Sequence, residues 1–104
     1  MTVVLSLWRG QMLAKVKTAR EIIAEVAESH GLTPAHFESP IRTKRVAHAR
    51  QEAMWACRQV KGRDGKPRYS YPFIGRLLGG RDHTTVLYGE RQHAARLAAE
   101  RVAA

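Results

Sequence analysis

The sequence is poor in cysteine and in acidic side chains, and both shortages limit what the protein can be. Cys57 is the only cysteine among 104 residues, so an intramolecular disulfide and a CxxC zinc site are excluded, and a reducing cytoplasmic compartment is expected. Asp and Glu number 9 against 18 Lys and Arg, which gives a formal net charge of +9. This excess predicts a polyanionic partner, with a merely basic, solvated surface as the alternative.

Long hydrophobic runs and strand-like alternation are also missing. The apolar stretch near the start is short, is interrupted by Arg9 and Gln11, and has no basic leader, so neither a signal peptide nor a membrane span is expected. Apolar residues instead recur at helical spacing in four stretches, without repeats or low-complexity tracts. At this length we expect one all-α domain, a small helical bundle.

Caps and helix-breaking residues place the helices along the chain. The predicted elements are a helix over residues 17–30, a short helical turn over 34–37, a long helix over 45–60, a helix from a Ser70 cap to residue 78, and a last helix over 83–102 behind an Asp82 cap. Cys57 lies on an apolar stripe of the long helix and is predicted to be a core residue rather than a nucleophile. The residues of the last helix predicted to face the core are Val86, Leu87, Ala94, Leu97 and Ala98.

Residues 1–16 are predicted to be a helical extension of a domain that spans residues 17–104. The apolar residues that recur there at roughly helical spacing are Val4, Leu5, Trp8, Met12 and Leu13. Such a face either docks on the domain, with Trp8 covering the core, or pairs with another protein or a second copy. The sequence leaves these alternatives open.

Residues 70–95 have the layout of a helix-turn-helix: a short apolar helix, a tight turn containing glycines, and a second helix with a polar start. In this arrangement the start of the second helix enters the major groove of DNA, where its side chains meet base edges. That start reads Arg81-Asp82-His83-Thr84-Thr85, and Tyr88 extends the same face by one turn. This many hydrogen-bonding groups exceeds what a helix cap requires, so we predict a DNA-reading surface.

The stretch SYPFIGRLLGGRDHTTVLYGERQ, residues 70–92, resembles the signature of the C-terminal DNA-binding domain (domain IV) of the bacterial replication initiator DnaA. Residues 41–51, IRTKRVAHARQ, resemble that family's basic loop and the start of its long helix. The resemblance covers nearly the whole of residues 18–101. It implies a Trp-repressor-like helix-turn-helix that binds double-stranded DNA at a short asymmetric box similar to TTATCCACA.

The resemblance also implies roles for individual residues. The implied base contacts are Arg42 in the minor groove and Pro72, Asp82, His83, Thr84, Thr85 and Tyr88 in the major groove. The implied or expected contacts to the DNA backbone are Lys44, Arg45, Arg50, Gln51, Lys66, Arg68, Arg76 and Arg81. Four features depart from the family. Tyr88 stands where many members have histidine, and Tyr71 replaces a residue that is often aliphatic. The exposed basic loop over residues 62–68 is longer than in well-known members, and the family's ATPase module is absent.

The expected function is sequence-specific binding to DnaA-type boxes, which regulates replication initiation or transcription at the bacterial nucleoid. The family's ATPase module is missing from this sequence, and residues 62–66 lack the spacing and the Ser or Thr of a phosphate loop, so no nucleotide or other cofactor is expected. The alternatives are a DNA-binding fragment of a full-length initiator and a transcription regulator with a diverged target site. The Met1 start and the extension favour an independent small protein.

Two other function classes fit the residues less well. Five histidines and Asp82 suggest acid–base or metal chemistry, but HExxH spacing and paired carboxylates are missing, so neither an enzyme nor a metal site is predicted. RNA binding suits the charge but usually relies on exposed aromatic residues that stack on unpaired bases. Here Trp55, Phe73 and Phe37 fall at core-like positions.

Overall fold

The computed structural model describes residues 17–103 and folds them around five helices. They are α1 (Ala19–Ser29), α2 (Pro34–Glu38), α3 (Lys44–Gln59), α4 (Tyr71–Leu77) and α5 (His83–Ala103). Over this part of the chain the only extended pairing is an isolated antiparallel bridge between Lys61 and Pro67. The all-α prediction is confirmed, and the helix bounds differ from the predicted ones by a residue or two. The predicted extension over residues 1–16 lies outside the described residues.

Short polar side chains begin the helices where the sequence predicts. At α1, the Glu21 amide donates to the Thr18 hydroxyl at 3.2 Å while the Thr18 amide donates to the Glu21 carboxylate at 2.8 Å. This reciprocal pair is a capping box, which satisfies two amides that the helix itself cannot. At α4, the Ser70 hydroxyl accepts from the Phe73 amide at 3.2 Å, and Pro72 occupies the first turn, where its missing amide costs nothing.

Helix α3 is the centre of the fold, because α1 packs along one side of it and α5 along another. The fully buried side chains with the largest volumes are Phe37, Met54, Ile74, Leu78, Val86 and Cys57. Cys57 is 0% exposed, and burial raises the pKa of its thiol to about 12, so the thiolate required of a nucleophile is not formed at neutral pH. Its predicted core role is confirmed.

Two glycines allow close approach between elements. A Cβ at Gly89 of α5 would overlap the Met54 sulfur of α3, and a Cβ at Gly75 of α4 would overlap the Arg81 carbonyl oxygen. The Gly75 contact brings α4 against the turn that precedes α5, where the Arg81 amide donates to the Gly75 carbonyl at 2.9 Å. The angle between the two helices therefore depends on the absence of a side chain at this position.

The second half of α5 is less buried than predicted. Val86 is buried and Leu87 and Leu97 are half-buried, but Ala94 and Ala98 are exposed. The helix has 21 residues whereas α4 has seven, so α4 covers only the first turns, and beyond them one edge of α5 faces α3. Ala94 and Ala98 lie off that edge. Among the described residues, no helix has the length and apolar character needed to cross a membrane.

A polar cluster fixes α4 against α3 and α5. The Tyr71 hydroxyl donates to the Glu90 carboxylate, and the Arg58 guanidinium lies 3.8 Å from the centre of the Tyr71 ring. Arg58 also donates to the Tyr69 carbonyl at 2.8 Å. Burial and the hydrogen bond to Glu90 raise the pKa of Tyr71, so the phenol keeps its proton and remains a donor. One side chain from each of the three helices therefore sets the position of α4.

We expect Gly75→Ala to destabilise the fold by about 1–3 kcal/mol, because the added methyl group meets a backbone carbonyl that cannot rotate away. Gly65→Ala is the comparison, since a methyl group there meets nothing within 4 Å and costs only the strain of a φ of +80°. Urea unfolding followed by circular dichroism measures both. Equal losses for the two variants would contradict the importance of the α4–turn contact.

Candidate nucleic-acid interface

The turn between α4 and α5 holds the start of α5 in a fixed orientation. Leu78 is fully buried beneath the turn. Gly79 and Gly80 follow with φ angles of +88° and +77°, in a backbone region that residues with a side chain rarely adopt. A Cβ at Gly79 would also sit 2.5 Å from the Glu38 carbonyl oxygen, so the turn lies directly against the end of α2. The predicted helix-turn-helix is present, with α5 as its second helix.

Asp82 organises the first residues of α5. Its carboxylate accepts from the His83 amide at 2.9 Å and from the Thr84 hydroxyl, while its carbonyl accepts from the amides of Thr85 and Val86. The Thr84 hydrogen bond lowers the pKa of Asp82, which keeps the carboxylate ionised. Because the Thr84 hydroxyl gives its hydrogen to Asp82, its oxygen is left to accept a hydrogen bond from a base amino group.

The face of α5 around this start is open to solvent. Thr84 and Thr85 are exposed, the side chain of His83 is 59% exposed, and Tyr88 is 60% exposed one turn later. Pro72 is exposed in the first turn of α4. Imidazole, hydroxyl, carboxylate and methyl groups are thus presented together on a rigid helix, and these are the groups that discriminate base pairs in the major groove.

Arg50 of α3 holds the segment that connects α2 to α3. Its Nε donates to the Phe37 carbonyl at 3.0 Å, and its Nη2 lies 3.1 Å from the Ile41 carbonyl oxygen and 3.3 Å from those of His36 and Ser39. The residue is 7% exposed. A planar guanidinium can serve several carbonyls at once, which a lysine ammonium on a flexible stem does less well. Arg50 therefore fixes the backbone on which Arg42 stands.

Arg81 reaches the same segment from the helix-turn-helix. Its Nη2 donates to the Ser39 carbonyl at 2.8 Å and to the Phe37 carbonyl at 3.3 Å. Burial lowers the pKa of both Arg50 and Arg81, and the positive charge of Arg42 lowers that of Arg81 further. Both guanidinium groups remain charged, since arginine does not deprotonate in proteins. We call Arg50, Arg81 and the carbonyls of Phe37 and Ser39 the arginine clamp.

The residues expected to contact the DNA backbone fall into two groups. The exposed ones are Lys44, Arg45, Lys66, Arg68 and Arg76, and Arg42 is exposed as well. Arg50 was expected at the DNA surface, but it is buried, because its guanidinium donates hydrogen bonds to backbone carbonyls. Arg81 is half-buried in the clamp. Gln51 is half-buried too, with its Cγ beside Gly89 in the α3–α5 contact.

The basic loop after α3 is an ordered hairpin. Lys61 pairs with Pro67, the Gly62 amide donates to the Lys66 carbonyl at 2.8 Å, and the Lys66 amide donates to the Asp64 carboxylate at 3.0 Å. The hairpin leads directly into the start of α4. The exposed cations that it carries are Lys61, Arg63, Lys66 and Arg68. The backbone pairing of residues 61–68 was not predicted from the sequence, although Asp64-Gly65 is a common turn dipeptide.

The histidines do not gather into a metal site among the described residues, where no cluster of three or more His, Cys, Asp or Glu side chains is found. His30 instead lies 2.8 Å from the Glu52 carboxylate, and His93 packs on Trp55 with ring centres 5.1 Å apart. Both pairs join neighbouring helices and are explained by packing. Of the five histidines, only His83 lies at the exposed start of α5.

The fold, the glycine turn and the exposed start of α5 define a helix-turn-helix domain of the DNA-binding class. A family described as "Bacterial dnaA protein helix-turn-helix" matches residues 19–92. Since this match covers most of the chain, the chain belongs to that family. The matched range includes the arginine clamp, the hairpin, α4 and the start of α5.

Curated relatives described as chromosomal replication initiator protein DnaA match the same region. The Thermus thermophilus protein is 47% identical over 68 residues, which is 65% of this chain and 14% of the relative. The Caulobacter vibrioides protein is 43% identical over 75 residues, which is 72% of this chain and 14% of the relative. The Pelobacter propionicus protein is 42% identical over 67 residues, 64% of this chain and 14% of the relative. The matched part of the chain thus spans about one seventh of these relatives.

We expect Arg50→Lys to lower the free energy of unfolding by about 1.5–3 kcal/mol, because lysine keeps the charge but cannot serve the clamp carbonyls together. Arg76→Lys is the control, since Arg76 is exposed and should change stability by less than about 0.5 kcal/mol. Urea titration measures the difference. A loss for Arg50→Lys as small as that of the control would show that the clamp does not support the fold.

Proposed function

We propose that this chain binds double-stranded DNA sequence-specifically at short asymmetric boxes similar to TTATCCACA. The start of α5 enters the major groove while Arg42 enters the adjacent minor groove. One observation carries the proposal: Arg81, directly before the exposed start of α5, is hydrogen-bonded to the segment that holds Arg42. The two reading elements are therefore joined into one rigid surface before DNA is bound, which lowers the entropic cost of binding.

The proposed base contacts follow from exposure and chemistry. They are Arg42 in the minor groove, and Pro72, Asp82, His83, Thr84, Thr85 and Tyr88 in the major groove. The ionised Asp82 carboxylate and the Thr84 oxygen accept hydrogen bonds, which suits the amino groups of cytosine and adenine. The threonine methyl groups suit contact with thymine methyl groups. Tyr88 offers a phenol where family members commonly have an imidazole. We therefore expect the preferred box to differ most from TTATCCACA at the base that Tyr88 contacts.

The proposed backbone contacts position the domain without reading sequence. They are Lys44, Arg45, Gln51, Lys66, Arg68, Arg76 and the exposed part of Arg81. Arg50 is proposed as a positioning residue in place of a phosphate contact. The hairpin cations extend the basic surface beyond α4, where they meet phosphates just outside the box. Each phosphate that is neutralised steepens the dependence of binding on salt.

For the biological role, we infer that the chain occupies DnaA-type boxes at the nucleoid in the bacterial cytoplasm. This occupancy regulates replication initiation or transcription. The family match and the initiator relatives support the replication part of this role. The residues of this chain supply DNA recognition, and we propose that they bind no nucleotide and catalyse no reaction. A DNA-binding fragment of a longer initiator would use the same surface in the same way.

Fluorescence anisotropy with labelled duplexes at physiological salt tests the proposal. We expect a duplex carrying the TTATCCACA box to bind at least about tenfold more tightly than a scrambled duplex of equal composition, because specific contacts add to non-specific phosphate binding. Equal, strongly salt-dependent binding to both duplexes would contradict recognition of this box. Selection from random sequences would then find the target.

In the same assay we expect Thr84→Ala to weaken binding to the matched box by about 1–3 kcal/mol and to leave the scrambled duplex nearly unchanged, because a base contact is lost. Thr84→Ser keeps the hydroxyl that bonds Asp82 and removes only the methyl group, so it separates these two contributions. Circular dichroism confirms that α5 is still formed. An equal loss on both duplexes would show that Thr84 does not read bases.

A further inference from the structure

An apolar groove lies between α1 and α3, and Lys61 at the start of the basic hairpin also lines it. The groove encloses about 640 Å³. Its floor and walls are apolar side chains of these two helices and of the residue after α3, namely Ile22, Val26, Trp55, Ala56 and Val60. None of the residues that line it belongs to α4 or α5. Apolar side chains around a concave surface of this size indicate a binding site for another apolar group.

The described chain enters the fold at this groove. Lys17, the first described residue, lines it, and its ammonium lies 2.7 Å from the Glu25 carboxylate on the rim. The Tyr69 hydroxyl donates to the Lys17 carbonyl at 3.3 Å, which fixes the backbone at the point of entry. Whatever precedes Lys17 therefore starts beside the groove. Residues 14–16 span at most about 10 Å when fully extended, so the segment before them begins within reach of the groove.

We propose that the groove is the binding site for residues 3–13 of the same chain. This segment carries the apolar residues Val4, Leu5, Trp8, Met12 and Leu13 at roughly helical spacing, which gives it one apolar face. The segment precedes the region that matches the family, which begins at residue 19. Docking would bury the apolar surface of the segment and that of the groove.

Connectivity also favours this occupant. The charges that line the groove are balanced between Lys17 and Lys61 on one side and Glu25 and Glu52 on the other, so apolar surface rather than charge selects what binds. A tethered segment reaches its site at an effective concentration in the millimolar range, far above that of a second copy in dilute solution. Intramolecular docking therefore outcompetes pairing between chains.

Limited trypsin digestion followed by mass spectrometry tests the proposal, because Arg9 is a cleavage site within the segment. We expect Ala56→Glu, which places a charge in the groove, to speed cleavage after Arg9 by about tenfold or more, because cleavage requires the segment to undock. Ala24→Glu makes the same change at an exposed position of α1 that does not line the groove, and should leave the rate unchanged.

Leu5→Asp, which lies outside the described fold, should speed cleavage as Ala56→Glu does, and it remains informative if Ala56→Glu destabilises α3. Cleavage of the wild-type chain as fast as that of these variants would overturn the proposal. Protection that is lost on dilution, with a dimer in sedimentation experiments, would overturn it in favour of a second copy. Neither readout involves DNA, so the outcome is independent of the proposed function.

Discussion

The structure depends on two guanidinium groups that bond to the same backbone carbonyls. Arg50 comes from the central helix and Arg81 from the turn before α5, and both donate to the carbonyls of Phe37 and Ser39. These contacts tie the segment before α3, helix α3 itself and the start of α5 into one unit. A bundle of about 90 residues has a small hydrophobic core, which leaves little apolar surface to hold an irregular segment. Hydrogen bonds from charged guanidinium groups fix this segment instead.

This arrangement separates two tasks that basic residues perform in the same sequence. Arg50 and Arg81 lie inside or at the edge of the fold and bond to carbonyls, whereas Arg42 and the hairpin cations remain exposed to solvent. Phosphate binding needs only an accessible charge, but the placement of that charge needs a rigid support. Of the 18 Lys and Arg side chains, Arg50 and the bonded part of Arg81 are therefore not free to bind phosphates.

The sequence predicted the helices well because their ends are local events. The residues that begin and end helices, such as Thr18, Ser70 and the glycines after α4, act on neighbours within four residues. Their effect can therefore be predicted from the order of residues along the chain. The burial of Arg50 could not be predicted in this way, because it depends on where carbonyls 9 to 14 residues earlier arrive in space. The prediction that Ala94 faces the core was wrong for a related reason. Helical periodicity identifies one face of a helix, but it does not say how far along that face the neighbouring helix extends.

The clamp has a consequence for how the surface responds to its environment. An arginine paired with a carboxylate loses its partner's charge when the carboxylate is protonated in acid. Peptide carbonyls do not titrate, and guanidinium keeps its proton, so neither half of the Arg50 contact changes even below about pH 4, where carboxylates become protonated. The position of the Arg42 segment relative to the start of α5 is thus insensitive to acid that would neutralise a carboxylate partner in the same place.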